Sequence, residues 1–337
     1  MANEIDPKVF KRFEIDRKLG RGAYGVVWKI IEKQSRNSFA LKKCFDSFRN
    51  AVDAQRTYRE VNYLQQLRDH DNIVKLVDVF QPEDGRDIYL IFDYMPTDLY
   101  VLIRANILQD IHVQYIIYQL LAALKYVHDA GLIHRDIKPS NILIDSHTRV
   151  KLCDFGLCRS ISYAQNEGKM FTDYVATRWY RAPEVLLCST RYSEKIDIWS
   201  AACILGEMIR SRPLIPGHST MNQVEKIVQL TGMPTDEDLN EIQSPFAETM
   251  LSNISIFEKV HLSSLLRYQD SSDAIQLMKG MMKFNPLERY SAELALAHRY
   301  VSDFHNPRIE KSYEGTIKVR QSKCIFFHIF IVFSFIC

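Results

Sequence analysis

The chain holds 337 residues, with 43 lysines and arginines against 41 aspartates and glutamates, so its formal net charge is +2. With 47% hydrophobic and 25% charged residues, it has the make-up of a globular protein able to bury a sizeable core, which argues against a disordered chain, a collagen or a basic nucleic-acid-binding tail. The seven cysteines form no Cys-x-x-Cys pair, which disfavours a disulfide framework or zinc site and suggests a reducing compartment.

Residues 1–12 read as an N-terminal segment without the apolar run of a signal peptide, and their acids argue against a transit peptide, so cytoplasm or nucleus is the expected location. From 13 to about 96 the chain reads as strand-rich. Phe13, Ile15 and Leu19 alternate before a glycine cluster, and Val26 to Ile31 and Phe39 to Leu41 follow as apolar runs. One helix interrupts them, with Val61, Leu64 and Leu67 recurring at spacings of three. From Val101 onward the pattern turns helical, as in Tyr115, Ile116, Leu120, Leu124 and Val127, and stays so to about residue 300. The expected class is α+β, a small β-rich part followed by a larger helical one, and no low-complexity linker separates the two. Residues 305–337 read as a tail whose end, 324–337, is almost wholly apolar and follows Lys318, Arg320 and Lys323. Spanning a bilayer takes about 20 such residues, so a packed tail or read-through residues rank ahead of a lipid anchor, and no membrane association is assigned.

Gly20-Arg21-Gly22-Ala23-Tyr24-Gly25-Val26-Val27 lies between two expected strands. Its glycines let backbone approach phosphate oxygens, and the strand that follows, where a dinucleotide site would have a helix, favours a glycine-rich lid. Lys42 ends the Ala40-Leu41-Lys42 run, and Glu60 on the helix can supply the anion that holds such a lysine toward phosphates; Lys43 is the competing assignment. Next come His134-Arg135-Asp136-Ile137-Lys138-Pro139-Ser140-Asn141, Asp154-Phe155-Gly156 and Ala182-Pro183-Glu184.

In order and spacing these elements resemble the glycine-rich loop, catalytic loop, metal-binding turn and activation-segment end of a eukaryotic protein kinase, over about residues 13–304. The resemblance implies a bilobal fold with an N-lobe of about 13–96 and a C-lobe of about 97–304, using ATP and Mg²⁺. It implies a catalytic set of Asp136, Lys138, Lys42 and Glu60: Asp136 receives or orients the substrate hydroxyl proton, and Lys138 neutralises the transferring group. Asn141 and Asp154 hold metal. ATP lies against residues 19–27, from Leu19 to Val27, with Ala40, Lys42 and Leu143, and the backbone of Asp93 to Met95 meets the adenine edge. Phe92 is the bulky residue behind that pocket, and Phe155 and His134 are expected to pack internally.

Thr172-Asp173-Tyr174 ahead of VATRWYRAPE resembles the mitogen-activated protein kinase family. GRGAYGVVWK, DAQRTYREV, RDIYLIFDYMPTDL and KLCDFGL bring it closest to the atypical extracellular-signal-regulated kinase seven/eight branch. That likeness implies activation by phosphorylation of Thr172 and Tyr174, by an upstream kinase or by autophosphorylation. Phospho-Thr172 would be received by Arg59, Arg135 and Arg159, and phospho-Tyr174 by Arg178 and Arg181. It also implies protein substrates with Ser or Thr before Pro, and no nucleic-acid partner. Glu184 is expected to pair with Arg289, and Asp197 to brace the catalytic-loop backbone. The sequence departs from the pattern at Asp173, at Cys158 and in the acidic docking patch, which here reads His305-Asn306-Pro307-Arg308-Ile309-Glu310 and puts the docking of basic peptides in doubt. The alternative from another class is a nucleotide-binding pseudokinase or scaffold.

Overall fold

A computed structural model describes residues 5–22, 25–45, 51–81, 87–162, 177–254 and 259–317. The chain divides into two compact units, and the division falls between Pro96 and Thr97, with Cys153–Leu157 packing in the first unit.

The first unit opens with α1 (Pro7–Arg12), which Pro7 starts and the Asp6 side chain caps by accepting the Lys8 N–H. A five-stranded antiparallel sheet follows in the order β1 (Phe13–Gly22), β2 (Gly25–Glu32), β3 (Ser38–Cys44), β5 (Ile88–Asp93), β4 (Leu76–Phe80), and α2 (Ala51–Gln66) lies between β3 and β4 in sequence. Period-2 alternation decides what each face carries. Val26, Trp28, Ile30, Leu41, Tyr89 and Ile91 form one core together with Ile5, Val9 and Phe13. The segment before residue 13 therefore covers one face of the sheet, and Tyr89 accepts the Asp6 N–H at 3.0 Å. A six-residue helix is too short for its periodicity to show in the sequence, where residues 1–12 form only an N-terminal segment. The other face carries Val27 opposite Lys42, and Ala40 opposite Phe92. Helix α2 buries Ala54, Thr57, Glu60, Val61 and Leu64, the i, i+3, i+4 stripe of an amphipathic helix.

In the second unit β6 (Thr97–Asp98) leads into α3 (Leu99–Ala105) and the long α4 (Asp110–Asp129). Val113, Ile116, Ile117, Leu120, Leu124 and Val127 of α4 are buried at the spacing the sequence shows. Short strands β7 (Leu132–Ile133), β8 (Ile142–Ile144), β9 (Val150–Leu152) and β10 (Arg159–Ser160) form two small sheets, β6-β8-β9 and β10-β7. Then come α5 (Pro183–Leu186) and α6 (Lys195–Arg210), whose residues from Ile196 to Met208 are all buried. A helix apolar on every side belongs at the centre of its unit. Helix α7 (Thr220–Thr231) and shorter helices to Leu296 complete it. Past residue 305 the chain still packs on this unit: Lys125 Nζ donates to Ser312 Oγ at 2.6 Å, Tyr313 stacks edge-on against Tyr126, and the Ile317 N–H donates to the Ala130 carbonyl at 2.9 Å. The apolar end, 324–337, lies outside the described residues. Among the described residues no helix is long and apolar enough to cross a membrane.

Candidate active site

In the first unit, Lys42 on β3 reaches across to α2, and its Nζ lies 2.6 Å from Glu60 Oε1. Glu60 is buried, with 5% of its side chain exposed, so the ion pair is largely out of water and orients the ammonium rigidly. Burial pulls the Lys42 ammonium down, but the charges of Glu60 and then Asp154 outweigh it, and the group is held above the ordinary lysine range. Lys43 points to the opposite face, 2.9 Å from Asp87 and beside the Phe45 and Tyr89 rings. The pleat thus decides between the two lysines.

Asp154 Oδ1 stands 4.0 Å from Lys42 Nζ and 3.9 Å from Arg56 Nη2. Its backbone is in the left-handed region at φ 63°, which turns the carboxylate out of the β path. Phe155 behind it is fully buried. A Cβ on Gly156 would lie 2.6 Å from Arg56 Nε, so a larger residue in this turn would push the arginine side chain of α2 aside. Arg56 belongs to the DAQRTYREV segment, and its packing gives it a specific neighbour in Gly156.

In the β1–β2 hairpin Gly22 pairs with Gly25 and Gly20 with Val27. A Cβ at Gly25 would strike the Lys43 carbonyl oxygen, whereas at Gly20 and Gly22 it would meet nothing. Leu19 and Arg21 are exposed on β1, and Ala23 and Tyr24 lie outside the described residues. Asp93 ends β5 with its N–H on the Lys75 carbonyl, and Met95 follows, half-buried.

In the second unit, Asp136 Oδ2 accepts from Lys138 Nζ at 2.7 Å and from Asn141 Nδ2 at 3.0 Å. The Asn141 amide also donates to the Asp136 carbonyl at 2.8 Å. Oδ1 of Asp136 accepts from no described residue. Asp197, at the start of α6, holds the loop: its Oδ2 accepts the His134 N–H at 2.8 Å and its Oδ1 the Arg135 N–H at 2.9 Å. His134 is fully buried. Leu143 on β8 is half-buried between buried Ile142 and Ile144.

Arg59 is buried on α2 in the first unit, while Arg135, Arg159, Arg178 and Arg181 are half-buried in the second. Arg135 lies over the Tyr192 ring and Arg159 Nη1 donates to the Cys158 carbonyl. Thr172 and Tyr174, and Asp173 between them, are outside the described residues. Burial pushes the Cys158 thiol up, which suits a packing role. Glu184 and Arg289 form a two-pronged buried pair at 2.8 and 3.0 Å. In the 305–310 turn, Glu310 accepts from the Asn306 N–H and pairs with His305 at 2.8 Å; burial, and then Glu310 itself, push the Tyr118 hydroxyl up to about 12. The one acid of that turn is thus engaged within the protein, beside exposed Arg308 and Ile309.

The profile of the protein kinase domain matches residues 13–301, and the chain belongs to that family. Extracellular signal-regulated kinase 2 of Dictyostelium discoideum is 50% identical over 322 residues, 94% of this chain and 87% of that protein. Mitogen-activated protein kinase 15 of Xenopus laevis is 47% identical over 310 residues, 91% of this chain and 53% of that protein. Extracellular signal-regulated kinase 7 of Drosophila melanogaster is 46% identical over 308 residues, 89% of this chain and 34% of that protein. The chain therefore spans about half the Xenopus relative and a third of the Drosophila one. Within the family it is a serine/threonine kinase of the mitogen-activated type, close to the extracellular-signal-regulated kinase seven/eight branch.

Proposed function

We propose that the protein transfers the γ-phosphoryl group of Mg²⁺-bound ATP to Ser or Thr followed by Pro in protein substrates, with phosphorylation of Thr172 and Tyr174 as its switch. The observation that carries this reading is the state of Asp136. Lys138 and Asn141 both bind Oδ2, which fixes the carboxylate and leaves Oδ1 to accept a hydroxyl proton.

The residues suit the nucleotide and its metal. Asp154 in the first unit offers a partly exposed carboxylate and Asn141 in the second an amide oxygen, each a hard oxygen donor of the kind Mg²⁺ takes. Open space at Gly20 and Gly22 leaves room for phosphates against backbone N–H groups. ATP supplies the transferred group, and Mg²⁺ neutralises charge on the phosphates. On the first unit, Lys42, held by Glu60, would orient the α- and β-phosphates, and Val27 and Ala40 would lie against the base; on the second, Leu143 would contact the base, and Asp136 would take the proton of the attacking hydroxyl while Lys138 steadies the moving group.

For the switch, Arg59, Arg135 and Arg159 would receive phospho-Thr172, and Arg178 and Arg181 phospho-Tyr174. We favour autophosphorylation over an upstream kinase as the source. The test compares wild type with Asp136→Asn for γ-phosphate transfer to Ser-Pro and Thr-Pro peptides, with mass spectrometry of Thr172 and Tyr174 in protein made in a host without upstream kinases. Equal transfer by both proteins, or nucleotide binding with no turnover by the phosphorylated wild type, overturns the assignment in favour of a scaffold. Phosphate on Thr172 and Tyr174 of the Asp136→Asn form overturns self-activation.

A further inference from the structure

We propose that Ser244 is a phosphorylation site modified by a second copy of this chain, and that the phosphate unlatches the turn around it from the segment that follows Glu184. The proposal rests on the proline-directed reading given above.

Of the 11 prolines, only Pro245 follows a serine or threonine, so Ser244-Pro245 is the single step in the chain that meets the acceptor rule proposed for its substrates. In the second unit it occupies the turn between α8 (Asp236–Ile242) and α9 (Ala247–Ser252). Pro245 and Phe246 are exposed, but the Ser244 hydroxyl faces inward: it donates to the Leu187 carbonyl and accepts the Phe246 N–H at 3.1 Å. Two further hydroxyls span the same two stretches, Ser189 Oγ at 2.6 Å from the Ile242 carbonyl oxygen and Thr190 Oγ1 at 3.2 Å from that of Gln243. The Ser189 N–H donates to the Glu184 carbonyl at 2.9 Å, which ties this latch to the residue that Arg289 holds. Each side of the latch carries a left-handed residue, Cys188 at φ 59° and Gln243 at φ 50°, conformations that persist where the surroundings impose them.

For Oγ to enter an active site the turn must first swing outward. Helices of seven and six residues flank it, and helices so short gain little from their own hydrogen bonds, so the opening is local. Ile242 and Leu251 stay buried on either side, and the opened turn projects between them as a short loop that another molecule can receive. A bond then forms between Ser244 Oγ and the γ-phosphorus of ATP, the bond from that phosphorus to its bridging oxygen breaks, ADP leaves, and the hydroxyl proton passes to the catalytic aspartate of the copy acting as enzyme. The phosphate offers acceptors and brings negative charge, so it cannot restore the bond to the Leu187 carbonyl. Modification therefore traps the open turn.

The test incubates full-length Asp136→Asn protein, an acceptor that transfers nothing itself, with tagged wild type and Mg²⁺-ATP beside a Ser-Pro peptide, and locates phosphate by mass spectrometry. Phosphate is expected on Ser244 of the Asp136→Asn protein only when wild type is present, and adding Pro245→Ala is expected to slow it about tenfold or more. Amide hydrogen exchange over 187–190 and 242–246 is expected to quicken roughly tenfold in the phosphorylated protein, the scale of a buried acceptor left unpaired, with the rest of the second unit unchanged. The proposal is overturned if Ser244 stays unmodified while the peptide is phosphorylated, if wild type modifies only itself, if Pro245→Ala is modified as fast, or if exchange is the same with and without phosphate. A wild type that phosphorylates neither the peptide nor Ser244 sinks the proline-directed reading, and this proposal falls with it.

Discussion

Arg289 offers the sharpest test of how the second unit is held together. Its side chain is fully buried and all five N–H bonds are used: Nη1 on Glu184 Oε1 and the Lys195 carbonyl, Nη2 on Glu184 Oε2 and the Phe284 carbonyl, and Nε on the Lys283 carbonyl. The guanidinium also lies over the Trp199 ring, 5.2 Å from its centre. Arg289→Met keeps the stem but leaves Glu184, 1% exposed, as a buried carboxylate without a counter-charge. Removing one partner of such a pair costs about 3–5 kcal/mol. For a domain of this size that is a fall in Tm of roughly 10 °C. Replacing both partners, Glu184→Leu with Arg289→Met, removes the orphaned charge and should recover most of the loss. Thermal and urea unfolding of the three variants give the numbers. A single variant melting within about 2 °C of wild type, or a double variant no better than the single, would refute the argument that desolvation dominates this pair.

Deleting residues 1–12 exposes the face formed by Val26, Trp28, Ile30 and Leu41; with Ile5 and Val9 each worth about 1.5–3 kcal/mol, a stability loss of a few kcal/mol is expected in urea unfolding, and an unchanged midpoint would contradict it. Tyr180→Phe removes the hydroxyl that donates to buried Glu207 at 2.6 Å. Burial raises the Glu207 carboxyl above its ordinary value and the Tyr180 bond opposes that rise, so losing the bond lifts it further. An acid whose folded value is raised costs stability once pH climbs through that value, so the gap between Phe and wild type should widen from acidic toward neutral pH. A gap that stays constant across the range would show that Glu207 is not the group responsible.

Much of the chemistry is local in sequence, and local patterns survive folding. The step from Asp136 to Lys138 to Asn141 brings two side chains onto one carboxylate oxygen of the first because all three share a single loop turn. The apolar spacing of α4 and the alternation of β2 likewise appear where the residues imply, since helix and strand periods are properties of the backbone itself. Glu184 with Arg289, 105 residues apart, could be matched in advance only by resemblance to a family.

What the chain alone left undecided concerns partners distant in sequence and elements too short to show a period. Lys42 and Lys43 are equivalent as letters; sheet pleating sends one to Glu60 and the other to Asp87. Ile5 just before α1 and Val9 within it become core because they meet a face created by β2, β3 and β5. Arg56 meets Gly156, a hundred positions away, and Ser244 meets Leu187, 57 positions away. The sequence by itself determined the family, the loop chemistry and the order of elements, all encoded within short windows. Which lysine points inward, what covers the sheet and what holds Ser244 were decided by tertiary packing, because burial and hydrogen-bond distance depend on segments that meet only once the chain has folded.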